Sequence, residues 1–187
     1  MNASERWYQM GPVSFAKCKR GTEHWTPAGG ERAVEIWGTG VYGVAAAHGA
    51  AFMELNATTR GTVYQEIGTI AAGQTLDFSF AHRGRKGRDS MAFVRDIRDA
   101  GGAVVQEIFR DSYSADKGAW TKVAGRSAAA AQGGTVRLSF VSETHGSYAK
   151  FVDDVRVEAS AVPLPAGVVL LGTGLAALVV ARRRRVA

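Results

Sequence analysis

Between residues 33 and 158 apolar side chains recur at every second position inside short runs, and glycine or aspartate clusters end each run before a helical stripe develops. Successive side chains of an extended strand point to opposite faces, so such a run is a strand with one face buried and one face wet. In Thr75 to Phe80, Leu76, Phe78 and Phe80 share a face with Asp77 and Ser79 opposite. Thr135 to Phe140 repeats this, with Val136, Leu138 and Phe140 set against Arg137 and Ser139. Further strands are expected over Ala33 to Trp37, Ala51 to Asn56, Thr62 to Ile67, Ser90 to Ile97, Val104 to Phe109, Trp120 to Ala124 and Phe151 to Glu158. No amphipathic helix stands between them, so these strands bury their apolar faces by packing as two antiparallel sheets. The chain carries 23 glycines, well above the ordinary share of about 7%. Several mark turns: Ala71-Ala72-Gly73, Gly84 to Gly87, Gly101-Gly102 and Gly133-Gly134. The expected fold is an all-β antiparallel β-sandwich over residues 22 to 160, with a poorly defined segment over residues 1 to 21.

Residues 161 to 187 obey a different rule. Val162 to Ala181 contains no charge, and Arg182, Arg183, Arg184 and Arg185 follow at once. Twenty helical residues rise about 30 Å, the thickness of a bilayer core. A helix apolar on every face finds no seat on a small sandwich, so one C-terminal transmembrane helix is expected, with the arginines held on the cytoplasmic side.

That tail also explains the charge. The chain has 23 Lys plus Arg against 17 Asp plus Glu. Without residues 162 to 187 and the first twenty residues, 15 basic face 16 acidic side chains. Nucleic-acid binding needs basic residues spread over a folded face, so it is not expected. Cys18 is the only cysteine and has no bridging partner.

Val162, Pro163, Leu164, Pro165 and Ala166, the apolar span and the arginine run together resemble the VPLPA variety of the PEP-CTERM sorting signals of Gram-negative bacteria. The resemblance implies export, recognition of the tail by an exosortase-type membrane transpeptidase that cuts near the proline motif, and delivery to the cell surface or extracellular matrix. A permanent single-pass anchor satisfies the same membrane rules. Such proteins carry a signal peptide, whereas Met1 to Arg20 has no apolar run of seven residues, so a truncated or misassigned start is expected.

A second resemblance covers about residues 22 to 158. Glu35-Ile36-Trp37, Gly38 to Gly43, Phe52 to Asn56, Val63 to Ile67, Phe78 to Arg85 and the closing Phe151 to Val155 are similar to bacterial extracellular modules with a galactose-binding-like, carbohydrate-binding-module type of jelly roll. It implies a β-sandwich that binds an extracellular polysaccharide. In the related jelly rolls the closing-strand aspartate and a glutamate of the first strand hold a structural Ca²⁺. Here Asp153 or Asp154 would supply the former, and Asn2-Ala3-Ser4-Glu5 half resembles the latter. Calcium wants six to eight oxygens, and adjacent strand residues face opposite ways, so the two aspartates alone make neither a cage nor a catalytic pair.

Gly38-Thr39-Gly40-Val41-Tyr42-Gly43 matches the dinucleotide fingerprint, but Val44 to Met53 is broken by Gly49 and no strand-helix alternation follows, so a loop between strands is the better reading. The basic cluster of Arg83, Arg85, Lys86 and Arg88 has two readings. It grips an acidic polysaccharide through bidentate guanidinium contacts, or Arg83 or Arg85 ties the loop to carboxylates such as Glu54 or Asp89. Among the aromatics, Tyr42 in the glycine-rich loop and Trp120 are the expected exposed platforms for sugar rings, while strand aromatics are mostly core. The four histidines lack metal-ligand spacing, and no nucleophile elbow is present. A non-enzymatic surface module is the leading reading, with a polymer hydrolase and a purely structural matrix protein as alternatives.

If the tail is a sorting signal, intact-mass measurement of protein released from the native host surface will show the loss of Arg182 to Arg185. Retention of the four arginines in released material would reduce the tail to an anchor.

Overall fold

The computed structural model describes residues 25 to 30, 34 to 57 and 59 to 160. Among the described residues ten strands occur in chain order: β1 (Thr26–Ala28), β2 (Glu35–Gly38), β3 (Ala51–Glu54), β4 (Thr62–Ile70), β5 (Thr75–Gly84), β6 (Asp89–Arg98), β7 (Val104–Ala115), β8 (Thr121–Arg126), β9 (Gly134–Ser142) and β10 (Lys150–Ser160). One sheet runs β1-β4-β9-β6-β7 and the other β2-β3-β10-β5-β8, with antiparallel pairing throughout. This is the expected two-sheet sandwich. The Glu5 segment, Val162 to Ala166, the apolar span and Arg182 to Arg185 lie outside the described residues.

The alternation read from sequence becomes the core. Phe78 and Phe80 of one sheet meet Phe93 and Phe140 of the other, with ring centroids 5.3 Å apart for Phe78–Phe93 and 4.9 Å for Phe80–Phe93. The Phe80 and Phe140 rings stand edge to face at 5.4 Å. Burying each such ring contributes roughly 2 to 3 kcal/mol.

Three elements differ from expectation. β1 was not expected, because three residues cannot display a period; its Pro27 is tolerated on a sheet edge, where no ladder N–H is needed. β7 continues past Phe109 to Ala115 with largely exposed polar residues, since an edge strand has little apolar patterning to reveal it. Trp120 precedes β8 instead of opening it.

Strand β10 also breaks its own alternation. Its register with β5 shifts between Asp153 and Arg156, and Asp154 takes φ 49. The extra residue changes the parity of the strand, so Val152 and Val155 both enter the core. Asp154 is turned toward Arg156 and Lys122. The expectation that the adjacent aspartates lie on opposite faces of a regular strand is therefore corrected.

Two cations sit where the alternation calls for apolar side chains. Lys150 and His82 are both buried; the Lys150 Nζ lies 3.1 Å from His82 Nδ1 and donates to the Tyr113 carbonyl at 2.7 Å. Burial pushes His82 down to about 4, helped by the Lys150 charge, and pushes Lys150 down to about 8. Neutral His82 thus accepts from the Lys150 ammonium. Arg95 follows Met91 and Phe93 onto the core face of β6 and is 0% exposed. Its guanidinium lies 3.8 Å from the Phe78 ring centroid and 4.7 Å from that of Phe109, and Nη1 donates to the Leu76 carbonyl at 3.2 Å. Nε and Nη2 have no hydrogen-bond partner among the described residues. Burial lowers its pKa to about 10.

A buried charge with unmade hydrogen bonds is a stability cost that an apolar side chain of similar length removes. Arg95→Met is therefore expected to stabilise the fold by about 1 to 4 kcal/mol in denaturant unfolding. A loss of stability in that variant would show that ring stacking and the Leu76 bond outweigh desolvation.

Candidate functional site

The sheet β2-β3-β10-β5-β8 is covered on both sides. Ile36, Met53 and Val152 face the main core, whereas Phe52 and Phe151 face outward and form a second apolar cluster with Val44, against which Trp37, Ala46 and Trp120 pack. All four residues of β3 are buried as a result. The cover is the loop between β2 and β3. Val44 seats on the two phenylalanines, the Ala45 carbonyl accepts from Trp120 Nε1 at 2.8 Å, and the His48 amide donates to Asp153 Oδ2 at 2.9 Å.

The G-x-G-x-x-G stretch makes the entry to that loop. It contains one 3-10 turn, Val41–Gly43, in place of a long helix, with Gly40 at φ 89 and Tyr42 at φ 54. An aromatic residue in the left-handed region is strained by about 1 kcal/mol or more, and persists where its surroundings fix it. Tyr42 is 64% exposed, and its ring stands edge-on to Trp37 at 5.1 Å.

Glu54 organises the next layer. It is 0% exposed yet receives four contacts: Trp37 Nε1 at 2.9 Å, Arg85 Nη1 at 2.7 and 2.8 Å to its two oxygens, and the Ala149 amide at 3.4 Å. Burial pushes its carboxyl up to about 7 against the pull of Arg85. The Arg85 guanidinium is thereby pinned between exposed rings, 4.8 Å from the Tyr42 centroid and 4.4 Å from that of Tyr148. Lys86 Nζ lies 3.5 Å from the Tyr148 centroid. The turn itself is held by Asp89, whose Oδ2 accepts from the Arg85 amide at 2.8 Å. Gly84 is required there, because a Cβ would collide with the Gly87 and Ala115 carbonyl oxygens.

The basic cluster therefore divides. Arg85 follows the loop-fixing reading, through Glu54. Arg88 is 73% exposed and 3.8 Å from Asp116, a solvated contact worth little. Arg83 is half-buried on the outer face, cross-strand from Phe151, with its guanidinium 6.0 Å from the Trp120 centroid. Trp120 is half-buried, standing edge-on to Phe52 at 5.7 Å, so it is a wall of the site more than a free platform. Among the described residues Tyr42 and Tyr148 are the exposed rings.

No family model and no curated protein matches the sequence. Solved structures do match in shape. The CBM22-1 xylan-binding domain of Paenibacillus barcinonensis Xyn10C aligns with 76% of this chain and 89% of its own at TM-score 0.54 and 16% identity. The CBM22-2 xylan-binding domain of the same protein aligns with 73% and 91% at TM-score 0.52 and 16% identity. A further xylan-binding domain from CBM 22 aligns with 78% and 93% at TM-score 0.53 and 13% identity. The shared feature is the jelly-roll fold.

The calcium expectation meets a donor-rich environment. Backbone amides of His48 and Asp154 reach Asp153 at 2.9 and 2.7 Å, and Arg156 reaches Asp154 at 2.7 Å. Among the described residues no group of three His, Cys, Asp or Glu side chains is placed to hold a metal. Asp153 and Asp154 are thus held by amide and guanidinium donors, and Glu5, the other residue of the expected calcium site, lies outside the described residues.

Removing Arg85 leaves Glu54 buried without its counter-ion, so Arg85→Ala should cost about 3 to 5 kcal/mol near pH 8. Glu54 has a folded pKa raised above its unfolded value, so its protonated form favours folding at low pH, and that contribution is lost as pH rises through the folded pKa. The deficit of the variant against the parent is therefore expected to be smallest near pH 5 and to grow toward pH 8. A pH-independent deficit in melting experiments would contradict this account.

Proposed function

We propose that the domain is a non-catalytic carbohydrate-binding module, carried to the cell surface by its C-terminal tail, and that it binds polysaccharide on the outer face of the β2-β3-β10-β5-β8 sheet. The observation that carries the reading is the pair of exposed rings, Tyr42 and Tyr148, fixed on either side of an immobilised guanidinium. Sugar rings present C–H faces that stack on aromatic surfaces and hydroxyls that accept from guanidinium and amide donors, so rigid aromatics beside a pinned arginine suit a pyranose chain. The strained backbone of Tyr42 supports this, since a residue with only a packing role could be replaced there by glycine at less cost. The xylan-binding domains that share the fold add support at the level of class.

Binding is favoured over catalysis by the state of the nearby carboxylates. Although burial brings Glu54 to about 7, within the range of a general acid or base, Glu54 and Asp153 are both shut away from solvent and held by internal donors, which suits scaffolding of the face and keeps them from a ligand bound on it. Export and exosortase-type processing rest on the tail motif from Val162 to Arg185.

Tyr42→Gly relieves the left-handed strain and removes the ring. Its melting temperature is expected to stay within a few degrees of the parent, while affinity for a polysaccharide retained by the parent in affinity electrophoresis falls about tenfold or more. Tyr148→Ala should act in the same direction. Undiminished binding by both variants, or no retention of the parent by any of a panel of neutral and acidic plant and bacterial polysaccharides, would refute the reading.

A further inference from the structure

Ten arginines lie among the described residues. Seven pair with a carboxylate: Arg85, Arg88, Arg98, Arg110, Arg126, Arg137 and Arg156. Arg60 and Arg95 donate to backbone carbonyls. Arg83 alone has neither an acid nor a carbonyl partner among the described residues, although it is half-buried and its Nε is shut away from water.

That is an expensive way to hold a cation on a β-sheet. The remaining guanidinium edge lies on the outer side of the sheet, 6.0 Å from the Trp120 centroid and cross-strand from Phe151, two residues before the Arg85 that sits between Tyr42 and Tyr148. Trp120 is itself fixed by its bond to Ala45 and its contact with Phe52. A planar fork over a rigid indole, with an apolar floor beneath it, is preorganised for a carboxylate carried on a ring. Lys122, exposed on the next row of the same face, adds a second positive charge, shared with Asp154 at 3.8 Å.

We propose that Arg83 is the carboxylate-binding residue of this face, and that the polysaccharide it takes is one bearing uronic acid residues. The inference rests on the glycan-binding reading above and specifies its ligand class. The carboxylate of a sugar seated beside Trp120, outside the covered Phe52 and Phe151 cluster, supplies the partner that the fold withholds from Arg83, while neighbouring residues of the chain reach the tyrosines. Arg85 plays no such part, because Glu54 already occupies it.

The test compares one polymer with its own carboxyl-reduced form. Full-length protein in a neutral detergent, with chelator present, is titrated with polygalacturonate or glucuronoxylan and with the same polymers after reduction of the carboxylates to alcohols. The parent should bind the acidic form about tenfold or more tightly, with affinity falling as salt rises, since a partly exposed pair is screened over a Debye length of about 10 Å at 0.1 M. Arg83→Met, which keeps the stem against Trp120, should bind both forms alike at the affinity of the reduced polymer. Arg83→Lys should retain part of the preference. A melting curve on each variant separates lost binding from lost fold, and should the Met variant fail to fold, the Lys variant and the reduced polymer still decide. Equal parental binding to both forms, or an acidic preference that survives in Arg83→Met, overturns the assignment while leaving glycan binding in place. Failure of the parent to bind any form defeats the glycan reading together with it.

Discussion

A carboxylate with no access to water dictates the arrangement of the outer face. Glu54 lies at the end of a central-sheet strand, between Glu35 on β2 and Phe151 on β10, and is covered on the side where a sheet residue would ordinarily meet solvent. An isolated buried carboxylate costs many kcal/mol unless it is protonated or fully hydrogen-bonded. Three otherwise unrelated parts of the chain answer that demand: the Trp37 indole of β2, the Arg85 side chain of the turn after β5, and the Ala149 amide leading into β10. Two of these bring along aromatic neighbours. Trp37 supports Tyr42, and Arg85 collects Tyr42 and Tyr148.

The second layer on that sheet follows from hydrophobicity of the same strands. Phe52 and Phe151 point away from the main core, and their rings meet at 4.7 Å. Left open, two phenylalanines on a sheet surface would form an aggregation-prone patch. The β2 to β3 loop closes it by inserting Val44 and by tethering its far end through the His48 amide to Asp153. Burial of Asp153 raises its pKa, and the backbone donors draw it back down, so the loop and the carboxylate stabilise one another. The result is a surface whose side chains are tied to one another through the loop, the strand and the buried carboxylate.

Much of this was legible in the sequence and some could not be. Leu76, Phe78, Phe80, Val136, Leu138 and Phe140 declare their face by alternation, and all six are buried. The same rule fails at Arg95, His82 and Lys150, because a period assigns a face and says nothing about whether a cation can be seated there by rings and carbonyls. It fails at Asp154 because one inserted residue, invisible to composition, reverses parity. Glu54 appeared in the sequence as one of several acids available to the basic turn; its burial depends on Trp37 and Ala149, which come from 17 residues before and 95 residues after it. The unbroken buried run of β3 was the available signal for a sheet covered on both faces, since a one-sided sheet leaves every second residue wet.

Charge gives the clearest case of geometry overruling count. Arg83, Arg85, Lys86 and Arg88 stand within six positions and, as a sequence, constitute one positive site. In the fold their fates diverge according to what each finds within a few ångströms. Arg85 is neutralised by Glu54, Arg88 shares a solvated contact with Asp116, and Lys86 rests against the Tyr148 ring. Coulomb attraction between unit charges near a protein surface falls to about 4 kcal/mol at 4 Å and keeps weakening with distance, and solvent screening removes the remainder over about a Debye length. The four positive charges of the turn therefore do not act as one site, and their sum is a poor guide to the field that any one of them presents.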